Sequence, residues 1–146
     1  MSILWLAQIR NESSAAQTPL KKSDFLLFKK LGFKSIRLPV AFTSFGPKAI
    51  ARLFTYTTKV AKRCNTYELK LVTDYHYGRL GDNNYLTETP QTIDLWLKLT
   101  KRYKNADYSN LFFENYKELP HINPKLWKVA AYNIVTLIRR LINNKP

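Results

Sequence analysis

Two side chains near the end of an apolar run could do acid–base chemistry, Glu118 and His121 in Asn110-Leu-Phe-Phe-Glu-Asn-Tyr-Lys-Glu-Leu-Pro-His121. Leu111 to Glu114 has the composition of a buried strand that stops in a polar loop. A helix is expected to open at Pro124, where a fixed φ and a missing N–H suit the first helical position. A carboxylate just past the C-terminal end of a strand, ahead of a helix, is where α/β barrels place catalytic groups. Spacing alone favours the plainer reading, a solvated loop glutamate. A second polar cluster, Asp74-Tyr-His-Tyr-Gly78, follows another apolar run, Leu69-Lys-Leu-Val-Thr.

These groups need elements to position them. Thr18-Pro19 reads as a helix start, with Leu20, Leu27, Phe28 and Leu31 as its apolar face and Gly32 as its C-terminal glycine. Ser35 to Phe42 reads as a short buried strand with Pro39 at or past its end. After Pro47, residues Ile50, Leu53, Phe54, Thr57, Val60, Ala61 and Cys64 recur at helical spacing. Leu69 to Asp74 is the next strand, and Arg79-Leu-Gly-Asp-Asn-Asn84 a polar loop. Thr89-Pro90 is expected to open a helix with Ile93, Trp96, Leu97, Thr100 and Tyr103 inward. The last helix, Pro124 to about Asn143, should bury Trp127, Ala130, Ala131, Ile134, Ile138 and Leu141. Short buried strands alternating with amphipathic helices imply βαβ units and a parallel sheet, an α/β fold.

Composition narrows the function classes. At 146 residues the chain is one domain's worth, and 45% hydrophobic residues argue for a packed core. The single cysteine, Cys64, excludes an internal disulfide and a cysteine-based metal site; no metal or cofactor is expected. No apolar run reaches the roughly 20 residues of a membrane span, so no membrane partner is expected. The start, Met1-Ser-Ile-Leu-Trp-Leu-Ala, lacks preceding basic residues and a full apolar core, so it does not read as a signal peptide. Lys and Arg number 24 against 10 acids, a net charge of +14. Such a charge admits a nucleic-acid partner, but the cations are scattered over every helix, as solvated faces would be. Nucleic acid is not the expected partner.

Four stretches in order carry more than pattern: Leu31-Gly-Phe-Lys-Ser-Ile-Arg-Leu-Pro-Val40, Asp74-Tyr-His-Tyr-Gly78, Trp96 seven residues before Tyr103, and Phe112-Phe-Glu-Asn-Tyr-Lys-Glu-Leu-Pro-His121. Together they resemble the first half of a cellulase-type glycoside hydrolase of family 5. The resemblance implies a partial (β/α)8 TIM barrel, about strands 2–4 with their helices. It makes 18–146 part of a catalytic domain typically of ~250 residues, while 1–17, which carry no clear period, read as an irregular N-terminal segment. It also implies retaining hydrolysis of a β-glucan or cellulose-type polysaccharide, which needs two carboxyl groups about 5–5.5 Å apart. By the same resemblance Glu118 takes the place of the proton donor. Arg37 stands where an arginine supports the catalytic carboxylates, His76 where a histidine lines the subsite next to the scissile bond, and Glu114 where a buried glutamate is structural.

Two departures from the family's pattern stand out. Its Asn-Glu-Pro is here Lys117-Glu118-Leu119-Pro120, which puts Lys117 where an asparagine would meet the sugar's 2-hydroxyl. A neighbouring ammonium favours the ionised carboxylate, working against proton donation by Glu118. The family's nucleophile belongs to a seventh strand, and none is expected in this chain. Asp74, Asp82 and Glu88 are the other carboxylates near that end of the sheet. Asp74 reads as a strand-end anchor and the other two as loop residues. Three parallel strands alone would leave two unpaired edges, so self-association or a missing C-terminal half is the expected partner. The alternative is a non-catalytic carbohydrate-binding remnant using Tyr75, His76, Tyr77 and Trp96.

Overall fold

The computed structural model describes residues 20–42, 46–76, 80–104, 109–117 and 122–143. Its elements run α1 (Lys22–Lys30), β1 (Ser35–Val40), α2 (Gly46–Thr66), β2 (Lys70–His76), a 3-10 turn (Asp82–Asn84), α3 (Tyr85–Tyr103), β3 (Leu111–Lys117) and α4 (Pro124–Asn143). The three strands form one parallel sheet in the order β1-β2-β3. This is the alternating α/β order that the periodicity predicts.

The first helix differs from expectation in its face. Thr18 and Pro19 lie outside the described residues, and the helix begins at Lys22. There the Lys21 N–H donates to the Asp24 carboxylate at 2.7 Å, satisfying one of the orphan donors of the first turn. The buried side chains are Leu20 and Phe25, whereas Leu27 and Leu31 are 52% and 64% exposed. Phe25 stacks on Tyr67 under the Arg63 guanidinium, a pocket that only the tertiary fold supplies. The C-terminus follows prediction. Gly32 has φ +80, and the N–H groups of Gly32 and Phe33 donate to the carbonyls of Lys29 and Phe28, a Schellman turn.

The same turn closes α2, with Glu68 in the left-handed position at φ 54. The N–H groups of Glu68 and Leu69 donate to the carbonyls of Asn65 and Cys64. A residue with a Cβ there is strained relative to glycine.

Proline placement explains three corrections. Pro47 lies inside α2, not ahead of it, and α3 begins at Tyr85, so Pro90 sits within a helix. Because α3 starts earlier, Glu88 belongs to its first turn and not to a loop. Pro39 lies inside β1, opposite Asp74. The Lys34 carbonyl accepts from the Lys70 N–H, so even-numbered β1 residues bond towards β2 and odd-numbered ones face away. Pro39's missing N–H therefore falls on the outer edge, where it costs the ladder nothing.

Side-chain alternation divides the sheet into two faces. Ile36, Leu38, Val40, Leu71, Thr73, Tyr75, Leu111 and Phe113 share the face that packs against the helices. Trp96 of α3 is 1% exposed and lies edge-on to Tyr75 and Phe113, at 6.5 Å and 5.6 Å. The α2 stripe is buried as predicted at Leu53, Thr57, Val60, Ala61 and Cys64, whereas Ile50 and Phe54 are half-buried. In α4, Ala130 and Ile134 are fully buried, and Trp127, Ala131 and Ile138 are partly so. Leu141's side chain lies outside the described residues.

Candidate active site

The other face of the sheet carries the ionisable groups. Arg37 of β1, Asp74 and His76 of β2 and Glu114 of β3 share this alternation, and the parallel register puts Asp74 beside Glu114. The Arg37 Nε donates to the Glu114 Oε2 at 2.6 Å, and its terminal nitrogen lies 2.8 Å from the Asp74 Oδ2. The same Oδ2 is 2.6 Å from the His76 Nδ1. One guanidinium thus joins three adjacent strands, at mid-strand in β1 and β3 and towards the C-terminal end of β2.

Burial is uneven. The Asp74 side chain is 0% and that of His76 2% exposed, whereas Arg37 and Glu114 are 20% and 39% exposed. Burial pushes the Asp74 carboxyl above its usual range, against the opposing pull of the His76 hydrogen bond and the Arg37 charge. The Asp74 Oδ1 is buried without a hydrogen-bond partner among the described residues. Asp74 is therefore more than a strand-end anchor, because its Oδ2 pairs by charge with Arg37 and by a hydrogen bond with His76. The alternation of Arg37, Asp74 and Glu114 on three successive strands is the sequence signal for this cluster.

The strand carrying the candidate acid is longer than predicted. β3 runs to Lys117, three residues past Glu114. Its pairing with β2 shifts register between Asp74 and His76, so that His76 lies opposite Lys117. One extra β3 residue is accommodated there, a bulge of the kind that re-aims the residues after it. Likewise β2 continues to His76 and holds that imidazole on the strand. The Lys117 side chain, Glu118 and His121 lie outside the described residues.

Other candidates are placed elsewhere. Tyr75 and Trp96 are both 1% exposed, so their rings belong to the core and present no stacking face to a sugar. Tyr77 lies outside the described residues. Asp82 accepts the Asn123 N–H at 2.5 Å and ties the 3-10 turn to the start of α4. Among the described residues, no group of three His, Cys, Asp or Glu is arranged to hold a metal ion. No described helix is long and apolar enough to cross a membrane.

Three parallel strands with intervening helices, and charged groups gathered on one face of the sheet, define a partial β/α barrel. The chain matches the Cellulase family (glycosyl hydrolase family 5) over residues 6–145 and belongs to that family. Among solved structures it is similar to the clostridial cellulose synthase subunit Z of Clostridioides difficile. That match has 18% identity and a TM-score of 0.73, over 87% of this chain and 44% of that one. It is also similar to Cel5A of Thermotoga maritima. A mutant form in complex with cellobiose gives 25% identity and a TM-score of 0.70, covering 84% of this chain and 44% of that one. The complex of Cel5A with mannotriose gives 22% and 0.71, covering 84% and 41%. The chain thus spans less than half the length of these structures. Among curated proteins, none matches.

Proposed function

We propose that this chain contributes the acid/base half of a retaining β-glucanase of cellulase type. Glu118, just beyond β3, would protonate the departing glycosidic oxygen. Arg37 would hold the nearby carboxylates in place, while His76 and Lys117, opposite one another on β2 and β3, would meet the sugar hydroxyls. The observation that carries this reading is the Arg37 bridge to Asp74 and Glu114, which gathers ionisable groups from three strands on one face of the sheet, below the strand ends where β/α barrels do chemistry. The substrate class follows from family membership and from the cellobiose and mannotriose complexes of Cel5A.

Retaining hydrolysis needs a second carboxylate about 5–5.5 Å from the first. The two described carboxylates on the polar face of the sheet, Asp74 and Glu114, are engaged with Arg37, and by the family's pattern the nucleophile would come from outside these three βα units. By itself the chain is expected to bind glucan without cleaving it. A complementary half barrel or a second copy would cover the open strand edges.

The test is turnover of an aryl β-cellobioside and of carboxymethylcellulose, with retardation in a glucan-containing gel measured beside it. Retardation without hydrolysis is the expected result. Hydrolysis abolished by Glu118→Gln would overturn the half-site assignment, and mobility unaffected by any β-glucan would overturn the substrate class.

A further inference from the structure

The helices run back along the parallel sheet, so the last turns of α1 and α3 and the first residues of β1 and β2 meet at one end, away from the strand C-termini. Cations spread along the sequence are collected there. Lys30 and Lys101 stand in last helical turns, Lys104 caps α3, Lys34 precedes β1 and Lys70 opens β2. All five are exposed, and the Lys34 carbonyl accepts the Lys70 N–H. None of them has an ion pair among the described residues. The described acid at this end is Glu68, which pairs with Lys29 at 2.5 Å; Asp107 lies outside the described residues. Arg63 is turned inward, onto the Leu20 carbonyl and the Phe25 ring. The opposite end mixes signs, with Asp24, Asp82 and Glu88 among its lysines.

A cation at a helix C-terminus offsets the helix dipole, which accounts for Lys30, Lys101 and Lys104. It does not account for Lys34 and Lys70, which lie beyond any helix. Apolar side chains are exposed at the same end. Leu31 directly follows α1, Leu27 lies one turn earlier on the same side, and Phe112 sits under the Lys70 ammonium. We propose that this end of the sheet docks peripherally on an anionic lipid bilayer, its lysines on the headgroups and Leu27 and Leu31 in the acyl boundary. Charge complementarity sets the sign of the partner, and the leucines favour lipid over nucleic acid. Phosphates would take the lysines and a base could stack on Phe112, but nucleic acid offers nothing to two exposed aliphatic side chains. A bilayer accepts both kinds of group. No described helix is long and apolar enough to cross a membrane, and peripheral docking requires none. The surface lies at the end remote from the β3 C-terminus, so it rests on nothing in the glucanase reading.

The test is sedimentation with vesicles of phosphatidylcholine alone or mixed with phosphatidylglycerol, in about 0.1 M salt, where charges act over about 10 Å. The chain is expected to sediment with the mixed vesicles and not with phosphatidylcholine alone. Most of it should be released at about 1 M salt, where that length falls to about 3 Å. Lys34→Gln with Lys70→Gln is expected to lower the partition coefficient about thirtyfold, the weight of two cations at such a surface. Lys101→Gln with Lys104→Gln, which leaves the strands untouched, should do the same. Lys125→Gln with Lys128→Gln removes equal charge at the start of α4, at the other end, and should change binding less than about twofold. Leu31→Ser should weaken it about tenfold, the worth of burying one leucine. Failure of the wild-type chain to sediment with the mixed vesicles overturns the proposal without any variant. Equal losses from the two ends also overturn it, since net charge alone would then be the cause. Duplex DNA that strips the chain from the vesicles, together with undiminished binding by Leu31→Ser, overturns it in favour of nucleic acid.

Discussion

Arg37 on one edge strand and Glu114 on the other are joined across the full width of the sheet, Nε to Oε2 at 2.6 Å, over the Asp74 carboxylate between them. The pair therefore acts at the site and in the framework together. Removing Arg37 leaves Asp74 as a buried charge without its counter-ion, a change that costs about 3 kcal/mol or more. Arg37→Ala should lower the urea midpoint accordingly. Arg37→Lys should recover only part of the loss, because one ammonium cannot reproduce the two-armed fork. Glu114→Gln, at a partly exposed position, should cost less than either.

The pH dependence follows from Asp74. Its folded-state pKa is raised, mainly by burial, so the folded chain binds this proton more tightly than the unfolded chain does. The resulting stabilisation is fully present below the ordinary carboxylate value. It is lost as pH rises through the folded value. In thermal melts across that interval, wild type should lose stability relative to Asp74→Asn as the pH increases. A gap that widens in favour of wild type would contradict the burial argument.

Trp96 separates core from ligand surface. Its indole removes about 200 Å² from water between Tyr75 and Phe113, and Trp96→Ala should cost about 3–5 kcal/mol in urea titrations. Trp96→Phe should keep the fold and leave glucan retardation unchanged. Loss of retardation in a folded Trp96→Phe chain would return this ring to the binding surface.

Cys64 is buried on α2, and burial pushes its thiol up to about 12. Thiolate is the reactive form. The native chain should therefore resist an aromatic disulfide reagent at about pH 8 and react fully once unfolded in urea. Rapid labelling of the folded chain would contradict this environment.

Glu68 holds a backbone position suited to glycine at the end of α2. Glu68→Gly should raise the melting temperature by a few degrees, because the Lys29 pair that it gives up is exposed to solvent. A lower melting temperature would mean that the ion pair outweighs the backbone strain.

Much of this framework is legible in the residues. The α2 stripe from Leu53 to Cys64 and the glycine after α1 announce themselves because local rules, helical period and left-handed geometry, decide them. Phe25 is hidden from such rules, since its pocket is made by Tyr67 and Arg63 from a distant part of the chain. Pro90 and Pro39 mislead for a related reason. A proline reads as a boundary locally, but tertiary packing carries α3 through the first, and an edge position tolerates the second. At the site, resemblance identifies Arg37 and His76, whereas the role of Asp74 emerges only when the parallel register sets three strands side by side.

Pro39 also affects how this sheet can grow. Copies adding head to tail, the β3 edge of one on the β1 edge of the next, would form an open-ended fibre unless the rotation closed a ring. Each such junction would meet a missing donor at Pro39 and leave the incoming strand's carbonyl unanswered, a penalty of roughly 1–3 kcal/mol if the junction is dry. The β3 edge carries no proline. The sheet is thus uneven in its capacity for extension, with every donor in place at the β3 edge and one missing at the β1 edge.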